Sequence, residues 1–167
     1  MKLSPKLQEK RDYMLGDLLV CLFDLASLKA QDKYIVNGTP KKYMTFIDIV
    51  EDYDSCLHYI YQNGKELFSQ EELDNMQLLS NYIDKIDWEV IYDSRNSNHT
   101  IVYKYPAWVE MRQFAHQFLE FLGYSFNDFN EEGDLITYPY SRKTFLDDNG
   151  NPIGAKGSSS YIPISDE

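Results

Sequence analysis

The sequence predicts a mainly α-helical protein, α+β at the margin, with about four helices around a long central apolar helix. Residues 18–23 are six consecutive apolar residues, and apolar residues continue on both sides at helical spacing. Later segments place their apolar residues three and four positions apart, as one face of a helix requires. A single domain is expected over residues 1–167, which is long enough for a hydrophobic core.

The first helix is predicted over residues 5–33, with Ser4 as its N-terminal cap and proline at its first position. Residues 16–30 are apolar around most of the circumference when side chains are placed about 100° apart. Such a helix must be enclosed on several sides, so we expect it at the centre of the fold. Asp17 and Asp24 interrupt it, and its apolar run is far shorter than the ~20 residues of a membrane span. No membrane partner is therefore expected.

Three amphipathic helices are predicted after it. The second covers about residues 40–62 and is followed by Asn-Gly, which favours a helix end. The third begins at residues 69–72, whose sequence Ser-Gln-Glu-Glu fits a capping box. The fourth covers residues 106–123. Its solvent-facing side is expected to carry Arg112, His116 and Glu120.

A β-hairpin is predicted between the third and fourth helices. Residues 88–92 and 100–105 are rich in β-branched and aromatic side chains, and residues 93–99 between them are typical of a turn. The remainder of the chain is expected to be irregular, with a short strand at residues 135–138 and a flexible tail at residues 150–167.

The charge distribution limits the expected partners. The formal net charge is −11, and residues 44–90 contain eleven Asp or Glu against two Lys or Arg. Nucleic acid is not expected as a partner, because phosphate binding needs a positive surface. A basic protein partner is favoured, because opposite electrostatic fields steer association. Solubility is an alternative explanation for the acidity, and the sequence leaves both open.

Neither a metal nor another cofactor is expected. The chain lacks the Glu-x-x-His pairs of helical dimetal sites, and the calcium-loop pattern that begins at Asp147 has Pro152 where glycine is required. Cys21 and Cys56 fall in apolar helical patterns and are expected to be buried, reduced thiols. The first residues contain no apolar signal core, so the expected compartment is the cytoplasm.

The predicted functional surface is the polar face of the second helix. Its carboxylates lie three and four positions apart, which makes them neighbours on one surface. Tyrosine next to carboxylates is a composition expected where a basic partner binds. The aromatic ring anchors the centre of the interface, and the surrounding carboxylates attract the partner's positive charge. The predicted partner-binding residues are Asp48, Glu51, Asp52, Ser55, Tyr59, Asp74 and Asp84.

A small, acidic chain without catalytic motifs is similar in profile to immunity proteins and antitoxins. The resemblance is one of composition, and it implies a non-enzymatic bacterial binding protein that neutralises a basic partner such as a nuclease toxin. Two alternatives stay open. One is a helical metal- or nucleotide-dependent enzyme that uses the acidic face of the second helix, and the other is a structural homo-oligomeric subunit.

Overall fold

A computed structural model describes residues 2–139, and this part of the chain is mainly helical, which confirms the predicted class. Residues 2–139 contain no β-strand. The α-helices of this range are α1 Pro5–Ala26, α2 Leu28–Gln31, α3 Phe46–Asn63, α4 Gln70–Asp84, α5 Trp88–Tyr92, α6 Asn98–Lys104 and α7 Pro106–Phe121. None of these helices is both long and apolar enough to cross a membrane.

The predicted first helix is broken at Ser27, so the expectation of one continuous helix over residues 5–33 is wrong from that residue onward. The Ser27 N–H donates to the Phe23 carbonyl at the end of α1, and the Ser27 hydroxyl accepts from the Ala30 N–H at the start of α2. One serine therefore ends one helix and caps the next. A π-helical segment, Asp32–Asn37, follows α2 directly.

Capping boxes determine where α3 and α4 begin. The Thr45 hydroxyl accepts from the Asp48 N–H, while the Asp48 carboxylate accepts from the Thr45 N–H. Helix α3 therefore starts at Phe46 and not at residue 40 as predicted. The predicted capping box of α4 is confirmed, because Ser69 and Glu72 exchange the same two hydrogen bonds.

The predicted hairpin is wrong, because its two expected strands form the short helices α5 and α6. The Asp87 carboxylate accepts from the Glu89 N–H, and the Ser97 hydroxyl accepts from the Thr100 N–H, so each helix has a side-chain cap. The predicted strand at residues 135–138 is also wrong, since no strand forms there within the described residues, where Leu135 makes an isolated bridge to Phe129. The expected tail at residues 150–167 lies outside the described residues.

Helix α1 packs against α7 and α3, and α4 packs against α7. Residues 18–27 are buried except for Cys21, which is half-buried. On α7, Trp108 and Phe118 are completely buried. These contacts bring α1 and α3 side by side, which positions the site described below.

Arg112 corrects the prediction for the solvent side of α7. Its side chain is buried, and Nη1 donates a hydrogen bond to the Val102 carbonyl in α6. Burial lowers the pKa of the guanidinium, and nearby Tyr103 acts in the opposite direction. Arg112 thus joins α7 to the carbonyl end of α6 and is not a surface residue.

Candidate functional site

All seven predicted partner-binding residues are exposed in the structure. Five lie on α3 and two on α4, and these two helices pack against each other. The residues on α3 are Asp48, Glu51, Asp52, Ser55 and Tyr59, and those on α4 are Asp74 and Asp84. The structure divides them into three groups with different surroundings.

The first group lines a groove between α1 and α3, with a volume of about 270 Å³. Asp52, Ser55 and Tyr59 contribute the α3 side, where the Tyr59 ring is 48% exposed. Asp17 of α1 also lines it. The apolar lining consists of Met14, Val20, Cys21, Cys56 and Ile60. The groove therefore combines an apolar lining with carboxylates and an accessible aromatic ring.

Asp17 is a functional candidate that the sequence prediction missed, because in the sequence it only interrupts an apolar helix. Asp17 is exposed as a residue, and partial burial of its carboxylate raises its pKa. A partly desolvated carboxylate interacts more strongly with an incoming cation than a fully hydrated one. No Lys, Arg or His is among the described residues that line the groove.

The second group consists of three carboxylates across α3 and α4. Burial raises the pKa of Asp54, and the negative charges of Asp84 and Glu51 raise it further. Glu51 and Asp84 therefore each repel Asp54. The sequence prediction included Glu51 and Asp84 but missed Asp54, although its spacing of three from Glu51 was a usable signal.

Within residues 2–139, no ion pair neutralises the charges of this group. Together, α3 and α4 contain eight Asp or Glu and no Lys or Arg. Among the described residues, the ion pairs join Arg11 to Glu72, Lys33 to Glu132, Arg95 to Asp93 and His116 to Glu120. None of these pairs involves the three clustered carboxylates. The negative potential of this surface is therefore presented to solvent.

The remaining two predicted residues have local structural roles. The Asp48 carboxylate belongs to the capping box of α3. The Asp74 carboxylate accepts a hydrogen bond from the Gln70 side chain, with 2.8 Å between the two atoms. Neither of them lines the groove.

Cys21 and Cys56 are half-buried, whereas full burial was expected, and both are free thiols. Interaction with the Cys56 thiol, together with burial, raises the pKa of Cys21. The carboxylates of Asp24 and Asp52 raise it further, because negative charge disfavours a thiolate. The pair lies in the lining of the groove, beside the α3 residues that were predicted to bind a partner.

Within residues 2–139, no group of three or more His, Cys, Asp or Glu side chains is arranged to hold a metal ion. Comparison with protein-family models, with curated proteins and with solved structures finds no match to this chain. The class of protein defined by the fold and the site is a helical protein with an acidic, partly apolar groove. Its function is argued from the chemistry of that site.

Proposed function

We propose that this chain is a non-enzymatic acidic binding protein that neutralises a basic partner protein, as immunity proteins and antitoxins do with nuclease toxins. The observation that carries the proposal is that Glu51 of α3 and Asp84 of α4 both repel Asp54. Like charges held together without an ion pair cost folding free energy. A cationic partner would relieve that repulsion and bind in the process.

The groove between α1 and α3 supports the same proposal. Long cationic side chains carry an aliphatic stem and a charged end, so they suit an apolar lining with carboxylates at its edge. Asp17, Asp52, Met14 and Ile60 all line the groove. In this proposal the two carboxylates bind the charge, and the two apolar side chains contact the stem. Tyr59 is the aromatic anchor of this surface, because its exposed ring can be covered by the partner.

The test is a comparison of tagged baits expressed in the native cell. The variant Glu51→Lys with Asp84→Lys reverses one charge on α3 and one at the end of α4. Lysine is favourable in the last turn of a helix, so this variant is expected to fold. We expect the wild-type protein to capture a stoichiometric basic protein, and the variant to bind it roughly tenfold or more weakly.

The matched control is Glu89→Lys with Glu110→Lys. Both residues are exposed on other helices, and the change in net charge is the same. This control should capture the partner as well as the wild-type protein does. Recovery of the same proteins with all three baits, or of no basic protein with any, would contradict the proposal. If the captured protein is a nuclease, the wild-type chain should inhibit it at a molar ratio near one.

A further inference from the structure

A second pocket lies between the junction of α1 with α2 and the segment that follows α7. Its volume is about 340 Å³, and the described residues that line it fall within residues 23–33 and 126–131. This volume lies within the range of roughly 300–1,000 Å³ that is typical of small-molecule sites. The pocket shares no described lining residue with the groove between α1 and α3. We refer to it as the phenylalanine pocket.

Three phenylalanine rings line this pocket and hold one another in place. The Phe129 ring stacks on the Phe23 ring with 4.5 Å between centroids, and the Phe126 ring meets Phe23 edge to face at 5.8 Å. Phe126 also stacks on His116 of α7, at 4.7 Å. Because these rings are fixed by their contacts with each other, the aromatic wall is formed before a ligand binds.

Two large apolar side chains of the pocket are exposed to water. Leu28 and Phe126 are each 37% exposed, and both belong to the lining. A ligand with an apolar body that covers them removes this surface from water. An aromatic body also gains an edge-to-face or offset contact with the Phe126 ring.

The charged side chains of the pocket are mainly cationic. Lys29 and Lys33 both line it, against one lining carboxylate, Glu131. Within residues 2–139, no ion pair involves Lys29. The Lys33 ammonium lies 3.8 Å from the Glu132 carboxylate in a solvent-exposed pair, and such a pair leaves a lysine available to a ligand.

The chain around these lysines is also basic, although the whole protein has a formal net charge of −11. Residues 28–43 contain four Lys and one Asp. The Lys42 ammonium donates to the Glu132 carbonyl, which brings a third lysine to the same edge of the molecule. Asp32 accepts a hydrogen bond from the Tyr103 hydroxyl of α6 and does not line the pocket. The local field therefore favours an anion.

We propose that the phenylalanine pocket binds a small carboxylic acid with an aromatic body. Lys29 and Lys33 bind the carboxylate, and the aromatic body packs against Phe126 and Leu28. This site does not rest on the proposed function, because the pocket attracts a ligand of opposite charge and lies apart from the acidic groove.

The experiment compares three probes with the same ring system and different charge. These are 2-naphthoate, an anion, 2-naphthamide, which is neutral, and 2-naphthylmethylammonium, a cation. Calorimetric titration of the full chain at neutral pH and low ionic strength gives each affinity, and amide NMR spectra locate the site. We expect 2-naphthoate to bind roughly fivefold more tightly than 2-naphthamide, and the cation to bind most weakly. Added salt should reduce the difference, and the NMR shifts should be largest at residues 27–33 and 126–131.

Variants separate the two parts of the site. Lys29→Gln with Lys33→Gln should abolish the preference for the anion. The matched control, Lys6→Gln with Lys85→Gln, changes the net charge equally at two exposed residues outside the lining, and it should keep the preference. Phe126→Ala should weaken all three probes roughly fivefold.

The comparison of probes on the wild-type protein is decisive even if a variant fails to fold. Equal affinities for 2-naphthoate and 2-naphthamide overturn the role of the lysines. Shifts centred on the groove between α1 and α3, or no binding of 2-naphthoate at millimolar concentration, overturn the site itself.

Discussion

The side chains of Gln31 and Trp108 are hydrogen-bonded in the interior, with 3.0 Å between the indole Nε1 and the amide Oε1. Both residues are completely buried. The Gln31 amide nitrogen in turn donates to the carbonyls of Asp24 and Leu25, at 3.0 and 2.9 Å. Those carbonyls lie at the end of α1, where the helix supplies no further donors. The Gln31 amide therefore donates to two carbonyls at the end of α1, and its oxygen links this end to Trp108 of α7.

We predict that Gln31→Ala lowers the free energy of unfolding by about 3 kcal/mol or more, because one indole N–H and two carbonyls lose a buried partner. Urea denaturation followed by circular dichroism measures the effect. The control is Gln77→Ala, since Gln77 bonds only to exposed Asn81 on the same helix, and it should change stability little. A loss below about 1 kcal/mol for Gln31→Ala would show that the amide is dispensable.

The ion pair between Arg11 and Glu72 gives a prediction for pH dependence. Two hydrogen bonds of 3.0 and 2.6 Å join them, and Glu72 also accepts from the Ser69 N–H. Burial alone would raise the pKa of Glu72, but these bonds outweigh it and lower the pKa below its ordinary value of 4.5. A lowered carboxyl pKa means that Glu72 stabilises the fold above about pH 4.5, and that this contribution is lost as the pH falls below that value.

We therefore expect Glu72→Gln to cost about 1.5 kcal/mol of unfolding free energy at pH 7, because a charge-assisted bond is replaced by a neutral one. The difference from the wild-type protein should shrink between pH 5 and about pH 3. Urea denaturation at several pH values measures it. Glu71→Gln is the control, because Glu71 is the exposed neighbour on the same helix turn. An equal cost at pH 7 and pH 3 would mean that the charge of Glu72 is not what stabilises α4 against α1.

Any side chain at Gly133 is predicted to lower stability, because its β-carbon would lie too close to a neighbouring ring. Its φ is +85°, and a β-carbon there would lie 2.9 Å from the ring of Phe23. That ring is held by stacking on Phe129, with 4.5 Å between the ring centroids. Gly133→Ala should therefore lower the free energy of unfolding by about 1–3 kcal/mol more than alanine does at a positive-φ glycine without such a contact.

Gly38→Ala supplies that comparison. Gly38 also has a positive φ of +66°, but its nearest side-chain neighbour is Tyr43, which is 64% exposed and can move away. We expect Gly38→Ala to cost about 1 kcal/mol. Thermal unfolding of both variants tests the difference. Equal losses would show that the Phe23 contact adjusts without cost.

Tyr59 and the clustered carboxylates should affect partner binding in different ways. Tyr59→Ala removes an exposed ring from the groove without changing the charge, so it should speed dissociation and leave the salt dependence of association unchanged. Glu51→Lys with Asp84→Lys should mainly slow association and weaken its salt dependence. Surface plasmon resonance with the captured partner separates the two rates. The same change of both rates in both variants would argue against this division of roles.

Much of the helical framework was predictable because its signals are local. The caps at Ser4 and Ser69, and the start of α7 at Pro106, depend on hydrogen bonds and backbone angles within about four residues. The exposure of the predicted α3 residues followed from helical spacing in the same way. In two adjacent segments, the local signals predicted the wrong secondary structure. Residues 88–92 and 98–104 carry strand-like side chains, yet they form capped helices whose apolar residues pack into the core.

By itself, the sequence determined that the protein is mainly helical, where most of the long helices begin, and that α3 presents an acidic face. Only the tertiary structure decided that Ser27 breaks the first helix, that Asp84 of α4 acts on Asp54 of α3, and that Cys21 and Cys56 line one groove. The physical reason is the range of the interactions. Helix periodicity and capping are encoded within a few neighbouring residues, whereas contacts between α1, α3 and α4 depend on how whole helix surfaces pack.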